Sequence, residues 1–114
     1  MPYTPGFVSF IETRLFTRLV SRYLTDEDYS ALQQALIRNA EAGAVIAGSG
    51  GVRKLRWPGP GRAKRGGYRI IYCVRRAQGV IWMLTMYPKN VADEISAHVL
   101  RQIRREMDDA QVQA

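Results

Sequence analysis

The segment from residue 68 to residue 87 constrains the fold more than any other part of the chain. Its first half, Tyr68–Arg75, reads YRIIYCVR and predicts a strand, because β-branched and aromatic residues dominate it. Ala77-Gln78-Gly79 predicts a turn, and Val80–Tyr87 predicts the returning strand, which Pro88 ends. The centre of the fold is therefore predicted to be an antiparallel hairpin.

Shorter patterns predict the remaining elements. They are an edge strand over Phe7–Ile11, a helix over Leu15–Leu24, a helix from about Asp26 to Asn39 capped by Thr25, a strand over Val52–Trp57, and a final helix that begins between Asp93 and Ser96 and ends near Met107. The fold class predicted is α+β: a small twisted antiparallel sheet with two N-terminal helices and a C-terminal helix, all on one face. At 114 residues, the chain (1–114) is expected to form a single domain.

The charges are distributed unevenly along the chain. The net charge is +7, yet no acid lies between Glu41 and Asp93, and that stretch holds ten bases. The flanks carry seven bases and ten acids, a net charge of −3. A surface of one sign repels itself, so it normally faces a polyanion. We expect a nucleic acid, with a solvated basic face that has no specific partner as the alternative.

Several classes of protein and site are disfavoured by the sequence. A single cysteine, Cys73, and a single histidine, His98, exclude an internal disulfide and leave no ligand set for a metal, so no metal and no cofactor are expected. The glycines of residues 48–51 lack the spacing of a phosphate-binding loop. No apolar run reaches the roughly 18 residues of a membrane span, and no secretory signal opens the chain, so we expect a cytosolic protein without membrane contact.

An enzyme of this composition would have to work with lysine, arginine and tyrosine. Cleavage of RNA by its own 2′-OH meets that condition, because it needs a base, cations on the phosphorane and a proton for the leaving oxygen, but no metal-bound water. Arginine can donate two parallel N–H hydrogen bonds to one phosphate. A lysine crowded by other cations has a lowered pKa and can act as a base.

The alternation of the strands selects the residues for such chemistry. Lys54 and Arg56 share one face of their strand, and Arg69 is the only charge inside the next strand. Lys89 follows the last strand directly. We expect Arg69 to reach an anion-binding surface. The alternative is a structural Arg69 paired with Asp93 or Glu94.

Three segments of the chain resemble a known family. GGVRKLR at residues 50–56, KRGGYRIIY at 64–72 and LTMYPKN at 84–90 are similar to the RelE/HigB superfamily of bacterial toxins, and to its HigB-2-like branch in particular. The resemblance covers nearly the whole chain and implies a RelE-like fold.

The resemblance also implies a function and partners. It implies the toxin of a type II toxin–antitoxin system in the bacterial cytoplasm, a metal-independent endoribonuclease that cleaves mRNA in the A site of the 70S ribosome. A cognate helix-turn-helix, HigA-like antitoxin would hold it inactive and carry the complex to operator DNA. The alternative function is a non-catalytic RNA-binding module of the same fold.

The site residues of the family match positions in this chain. Arg69 matches the strand arginine that stabilises the scissile phosphate, Lys54 and Arg56 match paired basic positions that include a proposed general base, and Lys89 matches the basic position after the last strand. His98 is a possible acid or base, with a surface histidine as the alternative, because residues 90–94 hold no tyrosine.

The other residues expected to bind RNA or the ribosome are Arg53, Trp57, Arg62, Lys64 and Arg65. For Trp57 the alternative is core packing. Cys73 and Trp82 are expected in the core, and Tyr68 and Tyr72 are expected to pack against helices.

Overall fold

The computed structural model describes residues 9–58, 67–89 and 96–113. Within these described residues, three helices and five strands follow one another: β1 Ser9–Glu12, α1 Arg14–Tyr23, α2 Asp26–Arg38, β2 Ala44–Val45, β3 Val52–Trp57, β4 Tyr68–Arg75, β5 Val80–Pro88 and α3 Ala97–Gln113. The predicted bounds of β3 and β4 are confirmed, and a 3-10 turn at Arg76–Gln78 joins β4 to β5 as predicted. The final helix extends six residues beyond the predicted end at Met107.

The five strands form one sheet in the order β1-β5-β4-β3-β2. The α+β fold class and the edge position of the first strand are confirmed. The sheet is mixed rather than wholly antiparallel, because β1 pairs with β5 in parallel, Ser9 opposite Val80. The edge strand β2 was not predicted, since two residues carry no alternation.

Helices cover both faces of the sheet, so the prediction that they share one face is wrong. The α1 and α2 helices pack on one face in a first core, built from Phe16, Val20, Leu24, Leu32, Leu36, Ala40, Ile70, Tyr72, Ile81, Met83 and Met86. The α3 helix packs on the other face in a second core, built from Val52, Ile71, Cys73, Trp82, Leu84, Ile103 and Met107. Five consecutive residues of β4, Arg69–Cys73, are buried, because both faces of that strand are covered. The predictions for Cys73, Trp82, Tyr68 and Tyr72 are confirmed.

Thr13 ties the start of α1 to the centre of the sheet. Its hydroxyl accepts a hydrogen bond from the Phe16 N–H at 3.0 Å, which caps the helix, and donates to the Leu84 carbonyl at 2.7 Å. Its own N–H donates to the Met83 carbonyl at 3.1 Å. Thr13 is 1% exposed, so water cannot replace these partners.

Replacing Thr13 with alanine should destabilise the protein by about 1–3 kcal/mol, because the cap is lost and the Leu84 carbonyl is left without its donor. Urea unfolding would measure this free energy. Thr25→Ala is the matched control, since Thr25 caps α2 in the same way from an exposed position. It should cost less, about 1 kcal/mol. Equal costs for the two variants would contradict a special role for the Leu84 contact.

Candidate nucleic-acid interface

Three basic residues of β3 and β4, Lys54, Arg56 and Arg69, lie on the face of the sheet that α3 covers. Val52 packs in the second core, and alternation places Lys54 and Arg56 on the same face of β3. Ile71 and Cys73 pack there too, so Arg69 shares that face of β4. The sheet therefore brings together the three strand cations that the sequence singles out.

Strand pairing aligns Arg56, Arg69 and Tyr87 in one row across the sheet. Arg56 lies opposite Arg69 on one side, and Tyr87 lies opposite Arg69 on the other. Neighbouring strands are about 4.8 Å apart, so both Arg56 and Tyr87 flank Arg69 closely. Arg69 is only 6% exposed, whereas Arg56 is exposed. Like charges directly opposite one another destabilise a strand pair, and an anion bound between them would remove that repulsion.

Lys54 and Lys89 flank this row at two positions. Lys54 is half-buried and lies opposite Ile71. It is two residues from Arg56 along β3, on the same face, which corresponds to about 7 Å. Lys89 is exposed, and its N–H donates to the Gly67 carbonyl at 3.1 Å, one step beyond the end of the β4–β5 pairing. Lys89 thus lies at the end of the sheet where Arg56 and Arg69 are found.

Tyr87 was missed as a site residue because of an irregularity in β5. Tyr72 pairs with Met83 while Ile71 pairs with Thr85, so Leu84 is an extra residue, a β-bulge. Strict alternation from Trp82 would place Tyr87 on the face of the first core. The bulge reverses the alternation, and Tyr87 instead packs against the second core beside Arg69. No pattern in the sequence signals a bulge at this position.

Two of the residues expected to bind RNA lie on the opposite face of the sheet. Trp57 is half-buried against the first core. The Arg53 guanidinium donates to the Gly43 carbonyl at 2.6 Å and to the Glu41 carbonyl at 3.3 Å. Both side chains therefore have structural contacts away from the row that contains Arg69.

Other predicted site residues fall outside this row or outside the described residues. His98 is exposed in the first turn of α3, and within the described part of the chain it forms no hydrogen bond or ion pair. Arg62, Lys64 and Arg65 belong to residues 59–66, and Asp93 and Glu94 to residues 90–95, so neither the loop cations nor the alternative pairing of Arg69 is described.

The backbone behind Lys54 is held by a buried tyrosine. The Tyr72 hydroxyl is fully buried, accepts from the Gly43 N–H at 2.8 Å and donates to the Ala40 carbonyl at 2.8 Å. Burial raises the pKa of Tyr72 above its usual 10, so the hydroxyl keeps its proton and its donor role. A methyl group on Gly43 would lie 3.0 Å from the Lys54 backbone, which shows how tightly this segment packs against β3.

The described residues carry neither a metal site nor a membrane span. Across residues 9–58, 67–89 and 96–113, no three His, Cys, Asp or Glu side chains gather into a group that could hold a metal ion. None of the helices there is both long and apolar enough to cross a bilayer. The chemistry of the row is that of two guanidinium groups, a phenol and nearby ammonium groups, and these bind and polarise phosphate.

No protein-family model matches the chain. Among solved structures, that of a double-arginine mutant of the E. coli toxin RelE in the free state superposes on it with a TM-score of 0.53. The match covers 85% of this chain and 90% of the other. This chain has a RelE-like fold. At 13% identity the likeness extends to the fold alone. The RelE-like fold predicted from the three sequence segments is therefore confirmed, whereas the HigB-2-like branch stays a prediction.

Proposed function

We propose that this chain is the toxin of a type II toxin–antitoxin system and cleaves mRNA on the ribosome. The observation that carries the proposal is the row of Arg56, Arg69 and Tyr87 across a RelE-like sheet, with Lys54 and Lys89 beside it. These cations come from a stretch of sequence that holds ten bases and no acid. A phosphodiester is the substrate that matches this charge and the paired donors of arginine.

The proposed reaction needs no water as a reactant. The 2′ oxygen of one nucleotide attacks its own 3′ phosphorus, the bond from phosphorus to the 5′ oxygen breaks, and a 2′,3′-cyclic phosphate and a 5′-OH result. Lys54 takes the 2′ proton, Arg56 and Arg69 bind the charge that develops on the phosphorane, and Lys89 adds a further cation. Tyr87, beside Arg69, is the hydroxyl we assign to the proton that the 5′ oxygen receives.

The partners follow from this function. The substrate is mRNA in the A site of the 70S ribosome, in the bacterial cytoplasm. A helix-turn-helix, HigA-like antitoxin encoded beside the toxin inhibits it and binds operator DNA. We expect the loop cations Arg62, Lys64 and Arg65 to contact RNA phosphates.

One observation favours the alternative, a non-catalytic RNA-binding module of the same fold. Arg69 is only 6% exposed, and such burial is consistent with a structural role for its side chain in the sheet. The two functions differ in what the protein does to RNA, because a binding module leaves the phosphodiester intact.

Expression of the chain without its neighbouring gene should arrest growth, and primer extension on a reporter mRNA should detect cuts that depend on translation of that mRNA. The control is co-expression of the adjacent open reading frame, which should restore growth. Normal growth with an uncut reporter, at a protein level verified by immunoblot, would contradict the proposed function. RNA binding in that case would support the binding module.

A further inference from the structure

The exposed side of α1 carries a row of arginines that the candidate site does not use. Arg14, Arg18 and Arg22 follow one another at intervals of four residues, and all three are exposed. Ser21, also exposed, lies between the last two, and α1 contains no acid. Like charges four residues apart on a helix destabilise it, so this row works against the stability of α1. We call these three residues the α1 arginine row.

The α1 arginine row is separate from the candidate site. The apolar side of α1, with Phe16 and Val20, packs in the first core, on the face of the sheet opposite Arg69. The arginines point away from that core into solvent. A molecule bound to the α1 arginine row would therefore not occupy the row of Arg56, Arg69 and Tyr87.

Two of the three arginines have a guanidinium charge that no ion pair neutralises within the described residues. Arg14 is near Glu106, with 3.9 Å between Nε and the carboxylate, although its side chain stays 90% exposed. Within the described residues, Arg18 and Arg22 form no ion pair and donate no side-chain hydrogen bond. The nearby Glu12 carboxylate accepts from the Thr17 and Tyr29 hydroxyls, each at 2.7 Å. The carboxylates at the start of α2 likewise lie too far from the Arg22 guanidinium to form an ion pair.

The spacing of the row suits a chain of regularly placed phosphates. Residues four apart on a helix are separated by about 6 Å along its axis, so successive guanidinium groups can engage successive phosphates of one strand. Helix arginines that make such contacts fix the orientation of a protein on nucleic acid without reading its sequence. We propose that the α1 arginine row is a second RNA-binding site, which takes the sugar–phosphate backbone of double-helical RNA.

This proposal deepens the proposed function, on which it rests for the identity of the anion as RNA. A chain that acts on the ribosome meets two kinds of RNA: the mRNA it cleaves and the structured rRNA that surrounds it. The sheet site would take the mRNA, and the α1 arginine row would take the backbone of an rRNA helix. The α1 helix packs on the face of the sheet opposite Arg69, and Arg18 and Arg22 lie on its exposed side, so both sites can be occupied together.

The test compares Arg22→Gln with Arg38→Gln in the full chain. Both arginines are exposed and lie in the last turn of their helices, so each substitution removes one charge and the same favourable interaction with a helix end. Binding to a labelled RNA duplex of about 20 base pairs is measured at several salt concentrations. Arg22→Gln should weaken binding about fivefold near 0.1 M salt and reduce the slope of log K against log salt by about 0.9, while Arg38→Gln changes neither.

The same comparison in an Arg69→Ala background separates this proposal from the proposed function. A selective effect of Arg22→Gln there supports the second site even if the chain never cuts RNA. Equal effects of the two glutamine variants, or no duplex binding by the parent chain, would overturn the second site, whatever the cleavage assay gives. Displacement of the RNA by poly-glutamate at equal charge would also overturn it, because the row would then accept an acidic protein.

Discussion

Replacing Arg69 with alanine should abolish growth arrest and lower mRNA cleavage by at least about 10²-fold, the cost typical of removing one donor that stabilises a transition state. Arg69 lies between Arg56 and Tyr87 in the row across β3, β4 and β5, so it is the cation at the centre of the proposed site. The loss should appear in the rate of cleavage of ribosome-bound reporter mRNA by purified protein. Binding of the antitoxin should survive.

Because Arg69 is buried, a loss of activity after Arg69→Ala has to be separated from a loss of fold. Arg69→Lys keeps the charge and removes the paired donors, and it should also lose most of the activity. Its matched control is Arg75→Lys, on the same strand and face but about 20 Å away at the other end of β4. This control should keep full activity.

Three results together would favour the proposed role of Arg69: inactive Arg69→Lys, active Arg75→Lys, and thermal unfolding of both close to that of the parent. Full activity of a folded Arg69→Lys would contradict paired donation to phosphate. A binding module that never cleaves predicts instead that Arg69→Ala merely weakens RNA binding, by a modest amount that depends on salt.

Local patterns in the sequence predicted most of the elements. The bounds of β3 agree with the prediction because Gly51 and Pro58 flank it. Those of β4 agree because its β-branched and aromatic residues favour a strand and Gly67 precedes them. Thr25 was predicted to cap α2, and its hydroxyl accepts from the Asp28 N–H. These features depend on neighbours in the sequence, so one chain is enough to reveal them.

Features that depend on distant contacts could not be predicted in this way. The apolar stripe of α3, with Ile103 and Met107, indicates that one side of the helix is buried. It does not indicate which face of the sheet the helix covers. The parallel pairing of β1 with β5 is equally invisible, since alternation carries no information about strand direction. The β1–β5 pairing joins residues about 70 positions apart, such as Ser9 and Val80, and α3 packs on strand residues as distant as Val52.

In the candidate site, too, local patterns were predictable from the sequence and distant contacts were not. Alternation correctly grouped Lys54 with Arg56, and it separated both from Arg53. It could not place Tyr87, because the bulge at Leu84 changes the face on which the rest of β5 lies. The role of Arg53 was also hidden, because its partners are backbone carbonyls of a segment whose path the sequence leaves open.

The segment that Arg53 contacts is also held by the hydroxyl of Tyr72. Among substitutions that remove a single atom, we expect the loss of this hydroxyl to lower the stability most. Tyr72→Phe should destabilise the protein by about 2–4 kcal/mol, because the Gly43 N–H and the Ala40 carbonyl both lose a partner at 2.8 Å in a site closed to water. The ring itself stays in the first core, so no cavity adds to the cost. Urea unfolding of the purified variants would give the change in free energy.

The matched control for Tyr72→Phe is Tyr68→Phe, on the same strand and the same face of the sheet. Tyr68 packs its ring 5.2 Å from that of Tyr23, and within the described residues its hydroxyl forms no hydrogen bond, so this variant should change stability by less than about 0.5 kcal/mol. The loop held by Tyr72 packs against the backbone of Lys54, so Tyr72→Phe should also increase amide hydrogen exchange in β3. Equal stability of the two variants would show that the buried hydroxyl does not anchor the segment behind Lys54.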